Sequence, residues 1–266
     1  MNIYARELKM NFKSSASYLL AACLISSMMM SFYSLLQTDM KAFMDVLDNF
    51  PAPMKAIMGI SVELFTSPIG YYAFVFTFVS ILFAIQSIGL GAGIFSKEIR
   101  EKTADFLMTK PVSRASIFIQ KIFAASSLLL ISGILYSVII GTIIYLFSES
   151  KFDTGLFVKM CLSFLILQQT FLFIGAAISQ ILPKIKSVLP IAVGVGSFFY
   201  AISAFAVTSD DDKLRFITPF QYNRPDSIVF SGNLELKFII SAILVVVICA
   251  AFALIRFIKK DIHSVS

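Results

Sequence analysis

The chain has 266 residues, 58% of them hydrophobic and only 14% charged, and its 22 Lys+Arg outweigh 16 Asp+Glu to give a net charge of +6. A soluble domain carries about 25% charged residues, and the mean hydropathy here is +0.86. These figures exclude a soluble enzyme, a disordered tail and a disulfide scaffold, and they point to a chain built to sit in lipid.

Residues 1–13, MNIYARELKMNFK, place Met1, Tyr4, Ala5, Leu8 and Phe12 on one helical face and Asn2, Arg6, Lys9 and Lys13 on the other. That segregation predicts an interfacial helix with its basic face toward water. Six stretches without Asp, Glu, Lys or Arg follow, at 14–38, 64–96, 122–148, 160–183, 187–209 and 238–255. At 1.5 Å per residue, roughly 20 residues cross a hydrocarbon core of about 30 Å. A charge near the bilayer centre costs about 2.5–3.5 kcal/mol on insertion scales, so the charge-free runs predict spans. Their bounds are 15–37, 69–95, 116–147, 157–182, 187–208 and 237–257. Runs such as LLISGILYSVIIGTIIYLF (129–147) are continuously apolar. Barrel strands would alternate over about ten residues, so the predicted fold class is an all-α membrane protein with six transmembrane helices. The first run is longer than a signal-peptide core and no small-residue cleavage site closes it, so it reads as an uncleaved span.

The first intervening segment, 39–63, is rich in Met, Phe and Leu and broken by Pro-Ala-Pro at 51–53, which predicts two short surface helices. The segment 96–115, SKEIREKTADFLMTKPVSRA, sets Glu98, Glu101, Lys102 and Asp105 on one helical face and Ile99, Thr103, Phe106 and Leu107 on another. Glu98 and Lys102 stand in the favourable acid-then-base i,i+4 order. Pro111 ends that helix, and Ser113 is placed to cap the third span. Such a helix serves either as a solvated connector or as a rigid lever that a soluble partner can push, and the residues leave both readings open. In the last long segment, Asp210, Asp211 and Asp212 read as a solvated tip. The apolar, proline-broken ITPFQY that follows can enter the outer leaflet only where protein or water satisfies its backbone.

Loop charge sets the orientation. With the N-terminus inside, the inner segments hold 14 basic against five acidic residues, and the outer segments eight basic against eleven acidic. The net charge is therefore a topology signal, and nucleic acid is not an expected partner. Cys23, Cys161 and Cys249 fall within spans without metal-ligand spacing, and His263 is the sole histidine. No metal site is expected.

No G-x-x-x-x-G-K-[ST] occurs, so no Walker A nucleotide loop is present. Gly89, Gly91 and Gly93 lie at the inner end of the second span and suit close helix packing or a hinge. Gln86, Gln168, Gln169 and Gln180 are the notable polar residues at membrane depth. They suit interhelical hydrogen bonds or the lining of a pathway. The charge-free runs lack the carboxylates of a proton- or ion-coupled site.

Residues 94–123, IFSKEIREKTADFLMTKPVSRASIFIQKIF, resemble the hallmark of the type-2 permease family of ATP-binding-cassette transporters. Glu98, Thr103, Leu107, Pro111, Val112, Ser113, Arg114 and Lys121 stand in the family's places, whereas Lys102 replaces its usual glycine. The six spans, the N-terminal interfacial helix and Thr218-Pro219-Phe220 before the last span match the family layout. The resemblance implies the non-catalytic membrane half of a bacterial exporter, multi-pass in the plasma membrane with both termini cytoplasmic. Two permease chains, identical or related, would pair and recruit cytosolic ATPase subunits. The permease itself would need no cofactor, because the partner binds the ATP. The coupling surface would comprise Glu98, Arg100, Glu101, Lys102, Thr103, Asp105, Phe106 and Leu107, together with Arg6 and Lys9 of the interfacial helix. The second and fifth spans would line the path, with Phe76, Gln86, Phe198 and Phe199 as candidates. A secondary transporter or channel, and a non-transporting immunity or sensor component, are the competing readings.

Overall fold

Charge-free runs of this length favour helices because in lipid every backbone group must find its partner inside the segment. The computed structural model describes residues 3–38, 45–46, 49–51, 54–55, 62–100, 112–147, 152–182, 185–209 and 212–259. Long helices dominate: α1 (Ile3–Thr38), α3 (Pro68–Arg100), α4 (Arg114–Phe147), α5 (Thr154–Ile181), α6 (Leu189–Ser209) and α9 (Leu236–Lys259). All six are long and apolar enough to cross a membrane. Short helices α2 (Val62–Phe65), α7 (Asp212–Arg215) and α8 (Pro225–Ser231) and a 3-10 turn at Pro219–Gln221 connect them. No strand occurs among the described residues. Most of 39–61, where two short helices are predicted, the helix over 101–110 and the tip residues Asp210 and Asp211 lie outside the described residues.

Local sequence explains where the helices begin. Asp153 precedes α5 and its Oδ1 accepts from Gly155 N at 2.8 Å and Leu156 N at 3.1 Å. Ser113 caps α4 as its position predicts, its Oγ accepting from Ser116 N at 3.2 Å.

The helix α3 is the hub of the bundle, packing against α1, α5 and α6. Its closest approach is to α5, where glycines on both sides bring backbones together. A Cβ built on Gly91 would lie 2.1 Å from Leu172 O, and one on Gly175 would lie 2.4 Å from Ile88 O. Gly89 and Gly93 point elsewhere, toward Val188 at the start of α6. The G-x-G-x-G run thus divides into one packing glycine and two that line a crevice. In the half of the bundle where α1 ends and α3 begins, Tyr72, Phe76, Phe83, Tyr136 and Phe164 interlock as an aromatic core, and the Tyr136 hydroxyl bonds the Ser26 hydroxyl at 2.8 Å. The helices α6 and α9 are peripheral and turn residues such as Phe198, Phe205, Leu244 and Ile248 outward.

No break divides residues 3–13 from the first span. One helix, α1, covers both, and its inner part does not bury the expected face. Ile3, Glu7 and Ser15 are buried at i, i+4 and i+12, whereas Phe12 is 62% exposed. A polar contact described below turns Glu7 inward and so sets this rotation.

The segment after α7 folds back among α5, α6 and α9. Thr218, Gln221 and Asn223 are buried, and each has protein partners. Thr218 Oγ1 donates to Phe199 O at 2.8 Å, and Gln221 Nε2 donates to Ser203 Oγ at 2.7 Å. Asn223 adopts φ 50°, the left-handed region that asparagine tolerates better than most residues. Its carbonyl accepts from Ser163 Oγ at 2.7 Å, and its Oδ1 accepts from Glu235 N at 2.7 Å. Within ITPFQY the side chains of Thr218 and Gln221 and the backbone N–H groups of Ile217, Gln221 and Tyr222 find protein partners.

Candidate functional site

The most polar buried cluster gathers where α1 begins, α3 ends and α4 begins. This end also holds the end of α9; it is the inner end in the orientation that loop charge predicts. Lys121 stands in the second turn of α4, between apolar turns carrying Ile117 and Phe118 on one side and Ala124 and Ala125 on the other. A lysine spaced this way faces the bundle, and it is 1% exposed. An ammonium has three donors and no acceptor. One goes to Glu7 Oε1 at 3.0 Å, one to Glu98 Oε1, and one to Ile94 O at 2.8 Å. Lys97 Nζ approaches the other Glu7 oxygen at 3.8 Å, and Asn11 Nδ2 donates to it at 3.3 Å. Two cations and two anions thus meet in a neutral group tying α1, α3 and α4 together.

Apolar packing shields this group. Phe95 stacks on Phe118 with ring centroids 4.8 Å apart, and both contact Phe257 of α9. Ile3, Ile94 and Ile117 complete the cluster. Arg114 at the start of α4 donates to Ile258 O at 2.9 Å, joining α9 to the same end. Three residues of the resemblance motif therefore have physical tasks: Ser113 starts α4, Arg114 holds α9, and Lys121 holds α1 and α3.

The predicted coupling residues fall on both sides of this junction. Glu98 is turned toward Lys121 instead of the solvent, and this pairing replaces the expected outward charged face at that position. Arg100, Arg6 and Lys9 are exposed at the same end. Glu101, Lys102, Thr103, Asp105, Phe106 and Leu107 lie outside the described residues. The segment they belong to lies between Glu98, a member of the ion cluster two residues before the end of α3, and Ser113, which caps α4 eight residues before Lys121. Glu7 is not among the predicted site residues; in the sequence it enters only as one of the five acidic residues of the inner segments. The available signal was its i,i+4 row with Ile3, Asn11 and Ser15.

The predicted path residues scatter. Gln86 is buried; its Nε2 donates to Ser15 Oγ at 2.8 Å, and it borders a crevice between α1, α3 and α6. Phe76 packs against Tyr72 and Phe164 and borders a small polar cavity away from the ion cluster, with Ser80, Ser163, Ser203 and Asn223. Phe199 packs on Phe171, whereas Phe198 is 62% exposed on α6. They do not form one lined surface within a single chain.

At the opposite end of the bundle, Arg215 and Lys237 flank Glu235, with Arg215 Nη2 2.7 Å and Lys237 Nζ 3.2 Å from its oxygens. Burial pushes the Glu235 carboxyl up, but hydrogen bonds and charge from the two cations outweigh it and hold it below its ordinary value. Arg215 also lies 4.4 Å over the Phe238 ring.

No curated protein matches the chain. A family model described as ABC-2 family transporter protein matches residues 1–262. With six apolar helices and a match over nearly the full length, the chain belongs to the ABC-2 family of transporter proteins and is a permease component of an ATP-binding-cassette transporter.

Proposed function

We propose that this chain is the membrane half of an ATP-driven exporter and that a separate cytosolic ATPase drives it through the segment 96–110. Two copies, or this chain and a related one, assemble in a bacterial plasma membrane with both termini in the cytosol. The second and fifth spans line the path between them, and of the four predicted path residues it is the exposed Phe198 that stands along it. The partner binds and hydrolyses ATP, because this sequence carries no Walker A loop. The observation that carries the reading is Lys121, which links Glu98 at the exit of α3 to Glu7 of α1 and to Ile94 O.

A force on 101–111 acts at two anchors, Glu98 and Ser113, only 15 residues apart in sequence. Because Lys121 joins α1, α3 and α4, the force moves those helices together instead of bending one loop. Cores and packed interfaces shift between discrete arrangements and do not deform continuously, so a shared anchor suits a two-state transporter. Arg6 and Lys9, exposed beside the junction, complete the surface offered to the ATPase.

Glu98→Lys tests the proposal. It sets an ammonium against Lys121 and reverses the charge at the lever's root. The expected result is a chain that inserts and assembles with its ATPase while hydrolysis no longer drives transport. Normal coupled transport by this variant would remove Glu98 from the mechanism.

A further inference from the structure

Gln168 lies near the middle of α5 and is fully buried, yet neither its Oε1 nor its Nε2 has a partner among the described residues. The adjacent glutamine is served differently: Ser126 Oγ of α4 donates to Gln169 Oε1, and Gln169 Nε2 donates to Ser126 O at 3.5 Å. Gln168 instead lays its oxygen in the notch left by Gly133 of α4. A Cβ built on that glycine would lie 2.5 Å from the oxygen and 2.6 Å from Leu165 Cδ2. At that approach no water fits between the amide oxygen and the glycine backbone. An amide buried without partners is unfavourable in an apolar surrounding, and folded proteins hold few such groups.

The packing around Gln168 is divided. The helix α4 packs chiefly on α1, and α5 packs chiefly on α3 through the Gly91 and Gly175 approach. Gln168 stands on the seam between these two pairs. At the inner end Lys121 joins α4 to Glu7 of α1 and to Ile94 O of α3, which makes that end a pivot for motion along the seam. Gly133 is 12 residues beyond Lys121, about 18 Å along the helix, so a tilt of about 10° at the pivot moves it by about 3 Å. Ser132 is the next residue round α4 and is buried; its Oγ donates to Leu129 O at 3.0 Å, and a hydroxyl that donates can still accept.

We propose that Gln168 is the strained contact of a two-position joint between α4 and α5. In the arrangement described here its amide is unpaired; in the second, reached by tilting α4 about the Lys121 junction, its Nε2 donates to Ser132 Oγ. Packed interfaces shift between discrete arrangements, and a group poorly served in one narrows the gap to the other. An apolar side chain at 168 relieves the first arrangement and deprives the second of its hydrogen bond, so it holds the joint where it is. The role of this joint in transport rests on the proposed function; the two positions themselves do not.

The full-length chain, with Cys23, Cys161 and Cys249 replaced by alanine, is spin-labelled at Val138→Cys of α4 and Leu162→Cys of α5, both exposed positions. Diluted with unlabelled chain in bilayers, it is read by double electron–electron resonance. Two distances about 3 Å apart are expected, one of them matching the arrangement described here. Gln168→Met is expected to keep that distance, to reduce the other about tenfold, the effect of roughly one hydrogen bond, and to raise Tm by about 3 °C. Gln169→Met removes a partnered amide and is expected to lower Tm while keeping both distances. Ser132→Ala is expected to deplete the second distance without raising Tm. A Tm loss in Gln168→Met as large as in Gln169→Met would show a paired amide and overturn the proposal. A single distance in the parent chain, or a second distance that survives Gln168→Met, would overturn it too. A second distance that survives Ser132→Ala would overturn the pairing with Ser132. None of these readouts uses ATP, so failure here leaves the ATPase coupling standing, and failure of coupling leaves this joint testable.

Discussion

Lys121 carries three donors, and all three are engaged inside the bundle. Lys121→Met keeps much of the side-chain volume but strands two carboxylates beside Lys97. Removing one partner of a buried ion group costs about 3–5 kcal/mol, so this variant should lose that much against denaturant in detergent. Glu98→Gln keeps an acceptor for Lys121 and should cost about 1–2 kcal/mol. Equal losses in the two variants would mean that Lys121 is not the centre of the group. Glu235 gives a pH test at the other end. Its pKa in the folded chain is lowered, so its contribution is full above the ordinary carboxylate range and is lost as pH falls through the lowered value. Hydrogen-exchange protection across 216–235 should fall in that acid window, and Glu235→Gln should remove the pH dependence. At this scale the sequence was readable where partners are close: Ser113 was expected to cap α4 and does. The Glu7–Lys121 pair, 114 residues apart, was not readable, because nothing local says which distant helix an acid faces. The same partner redirects Glu98 from its expected outward face.

Among elements, the junction of α3 and α5 should be the least tolerant of added volume. Gly91→Ala and Gly175→Ala each drive a methyl group into opposing backbone, and overpacking of this kind costs about 1–3 kcal/mol. Gly194→Ala meets nothing within 4 Å and should be neutral or slightly stabilising. Thermal unfolding of the three variants in one detergent measures the contrast; a Gly194→Ala loss as large as the others would contradict the packing. The existence of the six helices was legible because charge-free length is a strong and local signal. The rotation of α1 was not. Its apparent apolar face, Tyr4, Leu8 and Phe12, competes with a row of Ile3, Glu7 and Asn11 that only the bundle's own cations make favourable to bury. The buried fate of Thr218, Gln221 and Asn223 was visible as a condition, since a broken segment at depth needs partners, but the partners Phe199, Ser203 and Ser163 come from other helices.

For the whole molecule, the proposed orientation predicts that a cysteine placed at the exposed Lys213 reacts with a membrane-impermeant reagent on intact cells, while one at Lys13 reacts only after permeabilisation. The opposite pattern would invert the topology. Peripheral α6 and α9 leave an apolar surface that includes the outward-facing Phe198, Phe205 and Ile248, and the proposed pairing would draw on it for a second permease chain. The central claim is that this chain has no energy source of its own and is moved by a companion acting at the Glu98–Lys121 junction. Affinity isolation of the full-length chain from its native membrane, with identification of every co-isolated subunit and assay of ATP hydrolysis, tests it most directly. The account predicts two permease chains and a nucleotide-hydrolysing subunit in fixed proportion, with that subunit retained but its hydrolysis uncoupled from transport when Glu98→Lys is introduced. Recovery of the chain in a transport-competent form with no nucleotide-hydrolysing companion would contradict it.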